Sequence, residues 1–92
     1  MFNEQPRVLV VEDEPAQLEV LAYNLESEGF LVSRARDGEE AILVMREDVP
    51  DVIVMDWMMP HLSGIEVCRR LKSNPETRAI PVIILSARSE DV

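Results

Sequence analysis

The residues of this chain that are best suited to chemistry are acidic, and they follow short apolar stretches. Glu12 and Asp13 come directly after one such stretch, and Asp56 ends another. The carboxyl ends of parallel strands meet at one edge of a sheet, where open α/β sheets bind their ligands. Two carboxylates about 4 Å apart repel by about 4 kcal/mol at an effective dielectric constant of about 20. We therefore expect a cation among them, and a few protein oxygens favour Mg²⁺.

A bound magnesium ion would make Asp56 able to receive a phosphoryl group, because the ion would neutralise the phosphate oxygens while the carboxylate attacks. Ser86 follows a further apolar stretch and could hydrogen-bond a phosphoryl oxygen. Each residue also has a simpler interpretation. Glu12 and Asp13 could be helix caps, Asp56 a solvated loop residue and Ser86 a turn former. The conjunction of all of them favours the phosphoryl site.

Apolar β-branched runs alternate with helical patterns along the chain, which predicts a parallel sheet with right-handed crossovers. The predicted order βαβαβαβ fits a flavodoxin-like, doubly wound α/β fold with strand order 2-1-3-4, in which the first and third strands are neighbours. Strands are predicted at 8–11, 30–35 (at an edge), 52–55 (buried on both faces) and 80–85. Helices are predicted from 15 to 28, from 39 to 48 and from 63 to 73.

Each predicted helix carries an apolar stripe that would face the sheet. Gly29 is expected in the left-handed position that ends the first helix, and Asp37-Gly38 is a turn signal before the second. The predicted inner residues are Leu18, Leu21, Ala22 and Leu25 in the first helix, Ala41, Ile42 and Met45 in the second, and Ile65, Cys68 and Leu71 in the third.

Charge and composition narrow the classes of function. The chain has 9 Lys and Arg against 18 Asp and Glu, a net charge of −9, which argues against direct contact with nucleic acid. One cysteine excludes a disulfide framework and favours a reducing compartment. The sequence contains neither a signal-peptide pattern nor an apolar run long enough to span a bilayer. We expect a cytoplasmic domain without a membrane partner.

Four stretches of the chain stand in a characteristic order and spacing: Val8-Leu-Val-Val-Glu-Asp-Glu14, Asp56-Trp-Met-Met-Pro60, Ser63-Gly64 and Ile80-Pro-Val-Ile-Ile-Leu-Ser-Ala87. They resemble the receiver domain of a two-component response regulator, and the resemblance runs from about residue 7 to the last residue. Within that family, the residues Asp-Trp-Met at 56–58 and the stretch Asn74-Pro-Glu-Thr-Arg78 resemble the phosphate-regulon type of the winged-helix transcription factors.

This resemblance implies a role for each residue of the site. Asp56 would accept phosphate from a histidine kinase, and Ser86 would be the switch hydroxyl that is drawn toward the phosphoryl group. Mg²⁺ would be bound by Asp56, by Asp13 directly, by Glu12 through water and by the main-chain carbonyl of Met58. Phosphorylation would then switch a surface that controls a DNA-binding output domain in the full protein.

The family pattern continues with another helix, a fifth strand ending in Lys-Pro and a final helix, and none of these lies within residues 1–92. We therefore expect a single receiver domain that is truncated at its C-terminus, with no output domain in the chain. Its fourth strand would be an unpaired apolar edge, which favours a homodimer or a swapped assembly. Lys72 belongs to the third helix and cannot replace the lysine of the fifth strand.

Two other functions compete with the phosphorylation switch. An aspartyl-nucleophile phosphohydrolase would place a second aspartate two residues after the first, as acid and base. Met58 stands two residues after Asp56, so we expect no enzymatic turnover. A receiver-like adaptor that is never phosphorylated is the other alternative. The intact acidic pair together with Ser86 argues against it, and the absence of the fifth-strand lysine from residues 1–92 leaves it open.

Overall fold

The computed structural model describes residues 5–56 and 64–85, which form a parallel sheet with helices on both faces. The strands lie in the order β2-β1-β3-β4, as predicted for a flavodoxin-like doubly wound fold. In chain order the elements are β1 (Arg7–Val11), α1 (Pro15–Ser27), β2 (Leu31–Ala35), α2 (Gly38–Glu47), β3 (Val52–Asp56), α3 (Gly64–Ser73) and β4 (Val82–Leu85).

The core has two layers because side chains alternate across each strand. On β1, Leu9 and Val11 pack on the side of α2 and α3, whereas Val8 and Val10 pack on the side of α1. The larger layer contains Leu9, Val11, Ala35, Ala41, Met45, Ile53, Met55, Val67, Leu71 and Ile80. The predicted apolar stripes of α1 and α2 therefore face the sheet as expected.

β3 is fully buried on only one face, so the prediction of two buried faces is wrong in part. Ile53 and Met55 are fully buried beneath α2 and α3, whereas Val52 and Val54 are half-buried. Ile83 of β4 lies beside Val54 and is 52% exposed. Among the described helices only α1 covers this face, and it lies over β1 and β2.

The end of α1 is a Schellman motif built on Gly29. The amide of Phe30 donates to the carbonyl of Leu25 at 3.1 Å, and that of Gly29 donates to Glu26 at 3.0 Å. Gly29 has φ = 100°, the left-handed conformation that was predicted. Phe30 is thereby held in the cap, and β2 begins one residue later than expected.

The second helix begins one residue earlier than predicted, because Asp37 is its N-cap and not the first half of a turn with Gly38. Oδ1 of Asp37 accepts a hydrogen bond from the amide of Glu40 at 2.8 Å. Oε1 of Glu40 accepts in return from the amide of Arg36 at 2.7 Å. The first bond satisfies an amide that the first turn leaves unbonded. The second resembles a capping box but uses the amide of Arg36, one residue before the N-cap.

The inner face predicted for α3 is wrong at two of its three positions. Leu71 is buried as expected, but Ile65 is 45% exposed and Cys68 only half-buried. Gly64 and Val67 take their places in the core. The two stripes have similar spacing, and the true one escapes notice because a glycine contributes no apolar side chain.

The connection from α3 to β4 is held by its own hydrogen bonds. The buried hydroxyl of Thr77 donates to the carbonyl of Leu71 at 2.8 Å. Nζ of Lys72 donates to the carbonyls of Arg78 and Ile80 at 3.2 and 3.4 Å. Because the amide of Ile80 is also used in this turn, β4 begins at Val82 and not at residue 80.

We predict that Gly29→Ala lowers the free energy of unfolding by about 1–2 kcal/mol, the cost of a side chain in the left-handed region. A Cβ built at this position meets no atom within 4 Å, so backbone conformation alone sets the effect. Urea denaturation measures it. Gly29→Asn is the control and should lose less, since asparagine tolerates this region. Equal losses for both variants would contradict the explanation.

Candidate functional site

The register of the sheet brings the acidic residues together. β1 and β3 are parallel neighbours with Val11 beside Met55, so the next residues along, Glu12 and Asp56, stand side by side. The amide of Glu12 donates to the carbonyl of Ala35 at 3.0 Å, which fixes its backbone against the end of β2 as well. The strand ends therefore position these carboxylates before any ligand is considered.

One carboxylate oxygen from each of Glu12, Asp13 and Asp56 lies within 4.8 Å of the other two. Glu12 is buried, with 7% of its surface exposed, Asp56 is half-buried and Asp13 is exposed. Asp56 is the last residue of β3 and pairs with Leu85 of β4, so it is not a loop residue. The predicted convergence of the three acidic residues is present in the fold.

The N-terminus of α1 does not use these carboxylates as caps. Its N-cap is Glu14, whose side chain makes no capping hydrogen bond, and Pro15 occupies the first turn. Oε2 of Glu12 instead accepts from the amide of Glu14 at 3.2 Å, across two residues. The capping interpretation of Glu12 and Asp13 is therefore wrong.

The pKa of the Glu12 carboxyl is raised above its usual value of 4.5. Desolvation by burial is the largest cause, and the negative charges of Asp56 and Asp13 raise this pKa further. The hydrogen bond from the amide of Glu14 opposes them by stabilising the charged form. The ionised site thus carries a repulsion that a cation would relieve.

The donor set fits a hard divalent cation. It consists of carboxylate oxygens alone, it is open to solvent on the side of Asp13, and the described residues contribute only three side chains to it. Such a site leaves room for water or phosphate oxygens, which Mg²⁺ retains or recruits.

Two of the predicted site residues, Met58 and Ser86, lie outside the described residues, as does Trp57. No motif in the sequence indicated the hydrogen bond that the amide of Glu14 donates to Glu12. Lys72 lies in α3 as expected and bonds to the backbone of the next turn.

Within residues 5–56 and 64–85, no helix is both long enough and apolar enough to cross a membrane.

Comparison with known proteins places these features in a family. Residues 8–92 match the response regulator receiver domain. The phosphate regulon transcriptional regulatory protein PhoB of Rhizobium meliloti is 50% identical over 86 residues, which are 94% of this chain and 38% of that protein. PhoB of Escherichia coli is 44% identical over 85 residues, 92% of this chain and 37% of that protein. The chain therefore spans well under half the length of these relatives.

Solved structures agree with the fold. A response regulator receiver protein from Methanoculleus marisnigri, represented by its N-terminal domain, has a TM-score of 0.89 and 34% identity, over 95% of this chain and 71% of that one. The receiver domain of a histidine kinase from Syntrophus aciditrophicus has a TM-score of 0.85 and 40% identity, over 92% of this chain and 64% of that one.

The sequence match, the parallel sheet of order β2-β1-β3-β4 and the carboxylates at its switch point agree with one another. The chain belongs to the response regulator receiver domain family.

Proposed function

We propose that this domain is a phosphoacceptor whose Asp56 takes a phosphoryl group from a histidine kinase in the presence of Mg²⁺. The observation that carries the proposal is the group of carboxylate oxygens from Glu12, Asp13 and Asp56 within 4.8 Å of one another. The half-buried position of Asp56 at the end of β3 leaves its side chain reachable at the edge of the sheet.

Magnesium would be held by Asp13 and Asp56, with Glu12 acting through water and the carbonyl of Met58 as a further ligand. The buried position of Glu12 and the exposed position of Asp13 support this division of roles. When bound, the ion supplies positive charge that neutralises the phosphoryl oxygens and the carboxylates together.

Asp56 is the nucleophile of the transfer. One carboxylate oxygen attacks the phosphorus atom and forms an acyl phosphate as the phosphorus–nitrogen bond of the donor phosphohistidine breaks. The electron pair of that bond remains on the imidazole nitrogen. Glu12 and Asp13 do not react, and their negative charge would hold the cation beside Asp56.

The consequence of phosphorylation is a change of surface. A phosphoryl group adds a charge of roughly −1.5 to −2 at the end of β3. Ser86, the residue after Leu85, would hydrogen-bond it, and Leu85 is the register partner of Asp56. The output in the full protein would be a DNA-binding domain, by similarity to the PhoB proteins. A histidine kinase would phosphorylate this domain in the cytoplasm. The expected homodimer or swapped assembly stays a prediction.

Two alternatives differ in what they require. A phosphohydrolase would need an acid and base beside Asp56, and the sequence has Met58 where such an enzyme would carry its second aspartate. A receiver-like adaptor would keep the fold and ignore phosphate donors. The experiments below separate both from the proposal.

We predict that Mg²⁺ changes the fluorescence of Trp57, the only tryptophan, in a saturable manner. At about 100 times the dissociation constant, the ion should also raise the free energy of unfolding by about 2.7 kcal/mol. Asp13→Asn and Asp56→Asn should abolish both effects, because each removes a negatively charged ligand. Asp48→Asn, at the far end of α2, is the matched control. An unchanged response in Asp13→Asn and Asp56→Asn would refute the site.

We predict that Glu12→Gln stabilises the magnesium-free protein at neutral pH. The pKa of Glu12 is raised in the folded state, so its favourable contribution is complete below the unfolded value of 4.5 and is lost as pH rises through the folded value. The free energy of unfolding of the wild type should therefore fall as pH rises from 4.5 through the folded pKa of Glu12. The free energy of unfolding of the glutamine variant should fall less over the same range. Glutamine can still accept from the amide of Glu14.

Urea denaturation between about pH 4 and pH 7 measures this difference. Glu28→Gln, which removes an exposed carboxylate at the end of α1, is the control and should follow the wild type. A Glu12→Gln variant that is less stable across the whole range would mean that the charge stabilises the fold, contrary to the prediction.

We predict that a small-molecule phosphodonor such as acetyl phosphate, with Mg²⁺, adds one phosphoryl group to the protein. Mass spectrometry measures the addition, and hydroxylamine should remove it, because an acyl phosphate reacts with this nucleophile and a phosphoserine does not. Asp56→Asn should give no addition, and Asp13→Asn much less. Asp51→Asn, a carboxylate that bonds the amide of Arg7 at the other end of β3, is the control.

A folded, magnesium-binding protein that takes up no phosphate from the small-molecule donor or from a histidine kinase would favour the adaptor. Sustained release of inorganic phosphate from p-nitrophenyl phosphate, lost in Asp56→Asn, would favour the phosphohydrolase.

A further inference from the structure

A groove between α2 and α3 lies at the end of the domain opposite the carboxylates. Helices that run antiparallel to the strands end at the amino edge of the sheet, and the groove is formed by the last turns of both helices and the turn that follows α3. It has a volume of about 230 Å³. Its floor is apolar, with Met45 and Leu71 buried and Ile42 half-buried.

The rim of the groove is basic in a chain whose net charge is −9. Arg46 lies in the last turn of α2 and Arg70 in the last turn of α3, and both line the groove. Among the described residues, Glu76 is the one carboxylate that lines it with them. Arg34 is paired with Glu19 and Glu26, and Arg69 with Glu66. The described residues include no ion-pair partner for Arg46 or Arg70, nor for Arg36 and Arg78, so the two guanidinium groups at the groove are available to a ligand.

The apolar part of the groove also reaches solvent. Val49, just after α2, lines the groove and is 60% exposed. The positions of the two arginines complement the negative helix ends, which accounts for their charge but not for the exposed apolar surface between them. A groove with an apolar floor and two arginines at its rim is complementary to a ligand that has an apolar body and negatively charged flanks.

We propose that this groove docks a short acidic segment of a partner protein, which inserts one or two aliphatic side chains between Arg46 and Arg70. The volume is below the range of about 300–1,000 Å³ that is typical of pockets for whole small ligands, and it suits side chains of a peptide. Carboxylates beside the anchor pair with the guanidinium groups, and the apolar side chain covers Met45, Leu71 and Val49. This surface is separate from the phosphoacceptor site and does not depend on it.

The test uses three fluorescein-labelled helical peptides. The first has leucines at i and i+4 flanked by glutamates, the second has lysines in place of the glutamates, and the third has serines in place of the leucines. Fluorescence anisotropy measures affinity, and amide chemical shifts of the ¹⁵N-labelled protein locate the contact. We expect saturable binding of the first peptide only, with shifts centred on Ile42, Met45, Leu71 and Thr77.

The double variant Arg46→Glu/Arg70→Glu should bind the acidic peptide at least about tenfold more weakly, the loss expected for one charge-assisted contact. It should bind the lysine peptide in its place. Arg69→Glu/Arg78→Glu is the matched control with the same change of net charge outside the groove. Val49→Ser, at a position that is 60% exposed, should weaken binding without any change of charge.

Four results would overturn the proposal: equal affinity for acidic and basic peptides, equal affinity for the serine peptide, shifts that lie away from the groove, or no saturable binding of the acidic peptide to the wild type. The Mg²⁺ response of Trp57 should be the same in the double variant as in the wild type. Asp56→Asn should bind the acidic peptide normally, so failure of one proposal is distinguishable from failure of the other.

Discussion

Repulsion between carboxylates at the ends of adjacent parallel strands is the constraint on which the site depends. Because Val11 pairs with Met55, the next residues, Glu12 and Asp56, lie side by side. Asp13 lies at the start of the following loop, close to both. Desolvation is the main cause of the raised pKa of Glu12, and the negative charges of Asp56 and Asp13 raise it further. Backbone hydrogen bonds of the sheet hold the carboxylates in place. The stability of the packed core therefore offsets the electrostatic repulsion between them. A cation then converts an unfavourable cluster into a binding site.

The apolar runs predicted most of the fold because they are strong signals in a small domain. Val8 to Val11 and Val52 to Met55 are too short for helices and too apolar for loops, and their alternation with helical stripes leaves few topologies. The strand order brought Glu12 and Asp56 together in the prediction, and the fold has them together. Asp13 was predicted at the site only because it follows Glu12 in the sequence.

What the sequence could not predict depended on backbone hydrogen bonds and on residues without a hydropathy signal. Gly64 takes an inner position of α3 that Ile65 was expected to fill. Asp37 caps α2 through Glu40, where the Asp-Gly pair had suggested a turn. The basic groove was also invisible, since Arg46 and Arg70 lie far apart in the chain and meet only once two helices are packed side by side.

The hydrogen bonds after α3 have a mechanical consequence. Lys72 donates hydrogen bonds to the carbonyls of Arg78 and Ile80, and Thr77 donates one to the carbonyl of Leu71. These bonds restrict the conformation of the connection. The carbonyl of Pro81 then bonds the amide of Ile53, which ties the same connection to β3. We therefore expect α3 and β4 to move as a unit. A displacement at the far end of β4 should be transmitted to the helix, because these hydrogen bonds restrict the segment between them.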